Sequence, residues 1–123
     1  MTWEYLAGFF DGEGCIYINH RSYSYGKYQA VKITQGIVNE ANSGIIAEIF
    51  NFLQDHKIPV RWHEDKYQGN KKFEVIASNK QACIGWLEGM LPYLRVKREK
   101  AVEAIGYIQK LPDRKIDRRI TNE

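Results

Sequence analysis

The sequence predicts an α+β fold with the order αββαββα plus a C-terminal helix. The four strands form one antiparallel sheet with the helices on one face. Three observations carry this. Stretches of helical periodicity and of period-two alternation follow one another in that order. The alternating stretches come in two adjacent pairs, each joined by turn residues, as hairpins are. No β-α-β alternation appears, so a parallel sheet is not expected. With 123 residues, 44% of them hydrophobic and 27% charged, the chain is long and apolar enough for one domain with its own core.

Residues 2–12 carry helical spacing on two faces. Trp3, Leu6, Ala7 and Phe10 form one, and Tyr5, Gly8, Phe9 and Gly12 the other. Thr2 is the N-cap candidate, with Tyr5 where a capping box has Glu or Gln. A helix apolar on two faces needs two partners, and the core of a small domain supplies one. Gly8 and Gly12, one turn apart, clear a stripe along which another backbone can approach closely. Gly12 and Gly14 also read as C-cap glycines, which accounts for the end of the helix and not for Gly8.

Residues 14–23 alternate, with Ile16 and Ile18 opposed to Tyr17, Asn19 and Arg21. After the turn residues Ser24-Tyr25-Gly26, residues 27–35 alternate again, with Val31 and Ile33 opposed to Tyr28, Ala30, Lys32 and Thr34. A helix from Asn39 to about His56 follows, its apolar stripe made of Ile45, Ile46, Ile49, Phe52 and Leu53; Asn42 and Ser43 are alternative caps. Pro59 leads into a second hairpin, roughly 60–67 and 71–77 around Gln68-Gly69-Asn70. Its outward residues read as Arg61, His63, Asp65, Lys72, Glu74 and Ile76, although a slip of one residue would reverse the faces. Asn79 or Ser78 caps a third helix with Ala82, Cys83, Trp86, Leu87, Met90 and Leu91 facing in, and Pro92 interrupts it. A fourth helix, about 96–110, carries Ala101, Val102, Ile105, Tyr107 and Ile108 before Leu111-Pro112 stops it. The domain is thus 1–111, and 112–123 is a basic tail without a core face.

Charge and cysteine content narrow the function classes. The net charge is +3, unevenly spread. Residues 1–60 hold four Lys/Arg against six Asp/Glu, a net −2, and residues 61–123 hold fourteen against nine, a net +5. A basic half suits a polyanion partner. Cys15 and Cys83 cannot build a disulfide framework and lack C-x-x-C spacing, which fits an intracellular, reducing compartment. The N-terminal segment lacks the basic start and cleavage site of a secretory signal, and no apolar run reaches membrane-spanning length. His20, His56 and His63 show no metal-ligand spacing. His56 reads as a surface residue, and His20 and His63 as candidate nucleic-acid contacts.

The segment Leu6-Ala7-Gly8-Phe9-Phe10-Asp11-Gly12-Glu13-Gly14 resembles the signature of the LAGLIDADG homing endonucleases. It matches at Leu6, Ala7, Gly8, Asp11 and Gly14, with Glu13 where the second aspartate usually stands. Thr34-Gln35 is similar to the family's strand-end glutamine. Pro92-Tyr93-Leu94-Arg95-Val96-Lys97 is similar to the segment before its last core helix. The resemblance spans roughly residues 3–111. It implies a homodimer formed through the motif helix, with Tyr5, Gly8, Phe9 and Gly12 at the interface, because the chain holds a single motif. It further implies a magnesium site made by Glu13 and the Gly12 carbonyl, other divalent cations being possible, and catalytic support from Gln35 and Lys97. Asp11 reads as structural, hydrogen-bonding near the helix end. The family often adds a basic residue soon after the glutamine. None lies between Gly36 and Gly44 here, leaving Arg95, Arg98 or another residue to supply it.

The implied activity is metal-dependent double-strand cleavage of a long, partly palindromic DNA site. No small-molecule cofactor or membrane is involved. The sheet face would enter the major groove, placing Tyr17, Asn19, Arg21, Tyr28, Lys32, Arg61, His63, Lys72, Glu74 and Ile76 at DNA. Lys66, Lys71, Lys100 and the tail are phosphate candidates. The alternatives on the same scaffold are an RNA-splicing maturase and a DNA-binding protein that does not cleave. A dimerisation domain with no nucleic-acid partner is a further rival.

Overall fold

The computed structural model describes residues 1–18, 29–37 and 40–111. It has the expected order: α1 (Trp3–Glu13), β1 (Gly14–Ile18), β2 (Gln29–Ile37), α2 (Glu40–Asp55), β3 (Arg61–Tyr67), β4 (Asn70–Ala77), α3 (Lys80–Met90), a 3-10 turn (Leu91–Tyr93) and α4 (Arg98–Gln109). The sheet is antiparallel throughout, with strand order β1-β2-β4-β3. The turn of the first hairpin and the tail from 112 onward lie outside the described residues.

The sheet register sorts the side chains. Ile16, Val31 and Ala77 stand in one cross-strand row, and Gly14, Ile33, Val75 and Trp62 in the next. These rows point toward the helices, where Ile16, Val31, Ile33, Val75 and Ala77 are buried with Leu6, Phe10, Ile46, Ile49, Leu53, Trp86, Leu87, Met90 and Ile108. The alternate residues face away from the helices. In the second hairpin Gln68 and Gly69 both have positive φ, 52° and 84°, between the paired residues Tyr67 and Asn70. A two-residue turn of this kind matches the strand twist and pins the register, which removes the possible one-residue slip.

The helix ends follow local chemistry. The Thr2 hydroxyl accepts from the Tyr5 N–H at 3.0 Å, and the Asn79 side chain accepts from the Ala82 N–H at 2.7 Å. Gly14 is the C-cap of α1, as expected, but not in the left-handed conformation that favours glycine at helix ends. Its backbone is extended, with φ −84° and ψ 165°, and needs no glycine. Space decides instead, because a Cβ there would collide with the Phe10 ring, which packs edge-on against Trp86 with centroids 5.9 Å apart.

In α4 the buried residues are Ala101, Ala104 and Ile108, whereas Val102 is exposed. The helix begins at Arg98 rather than Val96: Lys97 is its N-cap, outside helical geometry at φ −100° and ψ 14°, and the N–H groups of residues 95–97 donate to Asp11.

The two cysteines differ sharply. Cys83 is buried, its thiol donates to the Ala77 carbonyl at 3.3 Å, and burial pushes its pKa up to about 12. Cys15 is exposed on the open sheet face. Only thiolates alkylate quickly. A thiol reagent at neutral pH is therefore expected to add one label per native chain, at Cys15, and two after denaturation, read by mass spectrometry.

Candidate active site and nucleic-acid face

The site begins at the C-terminal end of α1. The core face of this helix, Leu6, Ala7 and Phe10, is fully buried, and Trp3 packs edge-on against Phe52 at 5.0 Å. The other face is open. Tyr5 is 54% exposed, Gly8 and Gly12 are exposed and Phe9 is half-buried. A Cβ placed at Gly8 or Gly12 would meet nothing within 4 Å. Glu13 ends the helix, exposed, with no hydrogen-bond or ion-pair partner among the described residues. Beside it lie the last-turn carbonyls, which lack intrahelical partners.

The segment 95–97 is tied to this helix end by one residue. Asp11 Oδ2 accepts from the Arg95 N–H at 2.8 Å, and Oδ1 accepts from the N–H groups of Val96 and Lys97 at 3.1 and 2.9 Å. The Lys97 ammonium donates to the Asp11 carbonyl at 2.7 Å. Burial alone would raise the Asp11 pKa. The N–H groups of Arg95, Lys97 and Val96, with the Lys97 charge, outweigh that and hold the carboxyl below its ordinary value. A cation beside the negative end of a helix dipole is favourable, and α1 has no basic residue of its own in its last turn.

Gln35 lies on the helix-facing side of β2, two residues past Ile33, the partner of Gly14. Since β1 begins at Gly14, this part of β2 has no partner on the β1 side, while on the other side Gln35 pairs with Phe73 of β4. The structure thus gathers Gly12, Glu13 and Lys97 at the end of α1, with Gln35 on the strand that flanks it. Of the two alternative basic residues, Arg98 donates to the Leu91 carbonyl at 2.7 Å. The Arg95 side chain is exposed and has no partner among the described residues.

The sheet face turned away from the helices carries Cys15, Tyr17, Ala30, Lys32, Thr34, Lys72, Glu74, Ile76, Arg61, His63 and Asp65, as the register requires. Asn19, Arg21 and Tyr28 lie outside the described residues. Glu74 is held in place on this face. It accepts from the Thr34 hydroxyl at 2.8 Å and pairs with Lys32 at 3.6 Å. The mixture of fixed donors and acceptors with an aromatic ring suits recognition of a patterned surface better than a uniform charge would. Lys71 belongs to the other side, 4.0 Å from Glu64.

What sequence reasoning missed is the reach of Asp11. Its residue type and its place near the helix end pointed to hydrogen bonding. Its partners are more than eighty residues away, where no spacing rule extends.

The sheet thus has one open face lined mainly by polar and charged side chains, with Glu13 at its border and without a partner among the described residues. The LAGLIDADG endonuclease family matches residues 6–84, more than half of the chain, and the chain belongs to that family. Two solved structures of the homing endonuclease I-CvuI are similar over nearly the whole length. One, in complex with the I-CreI target in the presence of Mg and with the DNA not cleaved, shares 25% identity at a TM-score of 0.66, covering 89% of this chain and 67% of that one. The other, in complex with its own target in the presence of Ca, shares 27% identity at a TM-score of 0.68, covering 92% and 69%. No curated protein matches the chain. Among the described residues no helix is long and apolar enough to cross a membrane.

Proposed function

We propose that the chain is a site-specific DNA endonuclease that works as a homodimer and cleaves both strands by metal-dependent phosphodiester hydrolysis. The observation that carries the reading is the pairing of an open helix face with a carboxylate that has no partner among the described residues. The Gly8–Gly12 stripe is open along α1, and Glu13 projects from its end. A second copy packed on that stripe about a two-fold axis brings the two Glu13 side chains together. Two carboxylates so placed repel unless cations lie between them.

The donors fit Mg²⁺, because the Glu13 carboxylate and the free last-turn carbonyl of Gly12 are hard oxygen ligands. One carboxylate per chain makes half a site, which the dimer completes. A bound divalent cation polarises the phosphate and acidifies water. The chain's own residues do the rest. The Lys97 ammonium offsets negative charge that develops on the phosphate oxygens, and Gln35 orients water from β2. Tyr17, Lys32, Arg61, His63, Lys72, Glu74 and Ile76 face the major groove, where base edges are distinguishable. A two-fold protein requires a partly palindromic site. The I-CvuI complexes, which pair a similar homing endonuclease with target DNA in the presence of a divalent ion, support the same reading.

The test is a selection of cleaved duplexes from a randomised library with Mg²⁺, together with binding in Ca²⁺ over a range of salt. A recovered, partly palindromic site and an affinity that falls steeply with salt are expected. Tight binding without cleavage would favour the non-cleaving alternative. No binding even at low salt would remove the nucleic-acid reading altogether.

A further inference from the structure

We propose that Asp11 is a positioning residue for cleavage, acting through Lys97. Its side chain and main chain together fix where the Lys97 ammonium sits relative to Glu13. The inference rests on the endonuclease reading above.

A lysine side chain has many rotamers, and its ammonium is a point charge on a flexible stem. Here Lys97 is held at both ends by a single residue. Its N–H donates to Asp11 Oδ1 at 2.9 Å, and its Nζ donates to the Asp11 carbonyl at 2.7 Å. Asp11 is two residues before Glu13 on the same rigid helix. The anchor of the ammonium and the carboxylate of Glu13 therefore move as one body.

The other hydrogen bonds described for this region act within its own turns. Leu94 N–H donates to the Met90 carbonyl at 3.1 Å, Ala101 N–H donates to the Lys97 carbonyl at 2.9 Å, and Arg98 donates to Leu91. None of these reaches α1. Among the described hydrogen bonds, those to Asp11 are the ones that join segment 95–97 to the motif helix. The carboxylate suits this because it is acceptor-only at both oxygens and bonds charge-assisted to three N–H groups. An amide would offer one accepting oxygen and turn a donor toward an N–H.

A displacement of about 1 Å in a catalytic constellation lowers rates on the order of 10²-fold. The experiment compares wild type, Asp11→Asn, Lys97→Met and the double variant in single-turnover cleavage of a selected duplex with Mg²⁺. Affinity for the same duplex is measured in Ca²⁺, and circular dichroism reports the fold. Asp11→Asn is expected to bind within about threefold of wild type and to cleave on the order of 10²-fold more slowly. The double variant is expected to cleave no more slowly than Lys97→Met, because the two act as one unit. Asp11→Ser, whose hydroxyl still accepts from a backbone N–H, is read in the same way if Asp11→Asn does not fold. Wild-type cleavage by a folded Asp11 variant would overturn the proposal. So would losses that multiply in the double variant, or loss of the fold in both Asp11 variants. A wild-type protein that cleaves no duplex would overturn the endonuclease reading and this inference together. Failure of the inference alone shows only in the variants.

Discussion

Replacing Glu13 with glutamine is expected to abolish DNA cleavage while leaving the fold and duplex binding intact. Glu13 is exposed at the end of α1 and has no partner among the described residues. Its loss therefore removes no internal bond, and the melting temperature should hardly move. Glutamine keeps the size of the side chain and one carbonyl oxygen, so the surface offered to DNA is nearly unchanged. What it removes is the charge that makes the group a good ligand for a hard divalent cation. Losing the metal's contribution amounts to several kcal/mol of transition-state stabilisation, a fall of about a thousandfold or more in rate. Single-turnover cleavage with Mg²⁺ and binding in Ca²⁺ separate the two quantities. In the proposed dimer the change should also leave the metal-free association no weaker than wild type, because it would remove a like-charge contact at the axis. Cleavage at the wild-type rate would exclude Glu13 from the reaction.

The second large effect is expected at Gly8. Gly8→Leu should convert a dimer into a monomer and lower cleavage at least about 10²-fold, although the chain itself has ample room for the new side chain. A Cβ at Gly8 meets nothing within 4 Å inside the protomer. Leucine is also the better helix former there by about 0.5–1 kcal/mol. Helix content should be retained or rise, so a loss of activity cannot be ascribed to unfolding. Sedimentation equilibrium at micromolar concentration, alongside circular dichroism, distinguishes the outcomes. A Gly8→Leu protein that remains dimeric and active would show that copies do not meet on this face.

The unequal reach of sequence reasoning has physical causes. The α1 faces were legible because helical spacing alone separates Leu6, Ala7 and Phe10 from Tyr5, Gly8, Phe9 and Gly12, and burial follows that division. The outward row Arg61, His63, Asp65 and Lys72, Glu74, Ile76 was legible up to one ambiguity. The Gln68-Gly69 turn, with two positive φ angles, resolves it. The buried face of α4 was not legible, because small residues, Ala101 and Ala104, lie on its buried side and an apolar one, Val102, on its exposed side. A hydrophobicity pattern has little to separate them. The start of α4 was placed two residues early for another reason. Residues 96 and 97 are compatible with helix by type, but Lys97 is held as the N-cap, at φ −100° and ψ 14°, where its N–H and that of Val96 bond to a carboxylate from α1.

By itself the sequence determined the order of elements, the antiparallel pairing within each hairpin, the two-faced motif helix and the candidate residues Glu13, Gln35 and Lys97. All of these depend on short-range spacing or on a contiguous motif. Only the tertiary structure decided the strand order β1-β2-β4-β3, the steric need for Gly14 beneath Phe10 and the attachment of Lys97 to Asp11. Each of these joins groups that packing brings together. A contact between residues 11 and 97 leaves no periodicity in the chain, because it exists only once the helices have closed over the sheet.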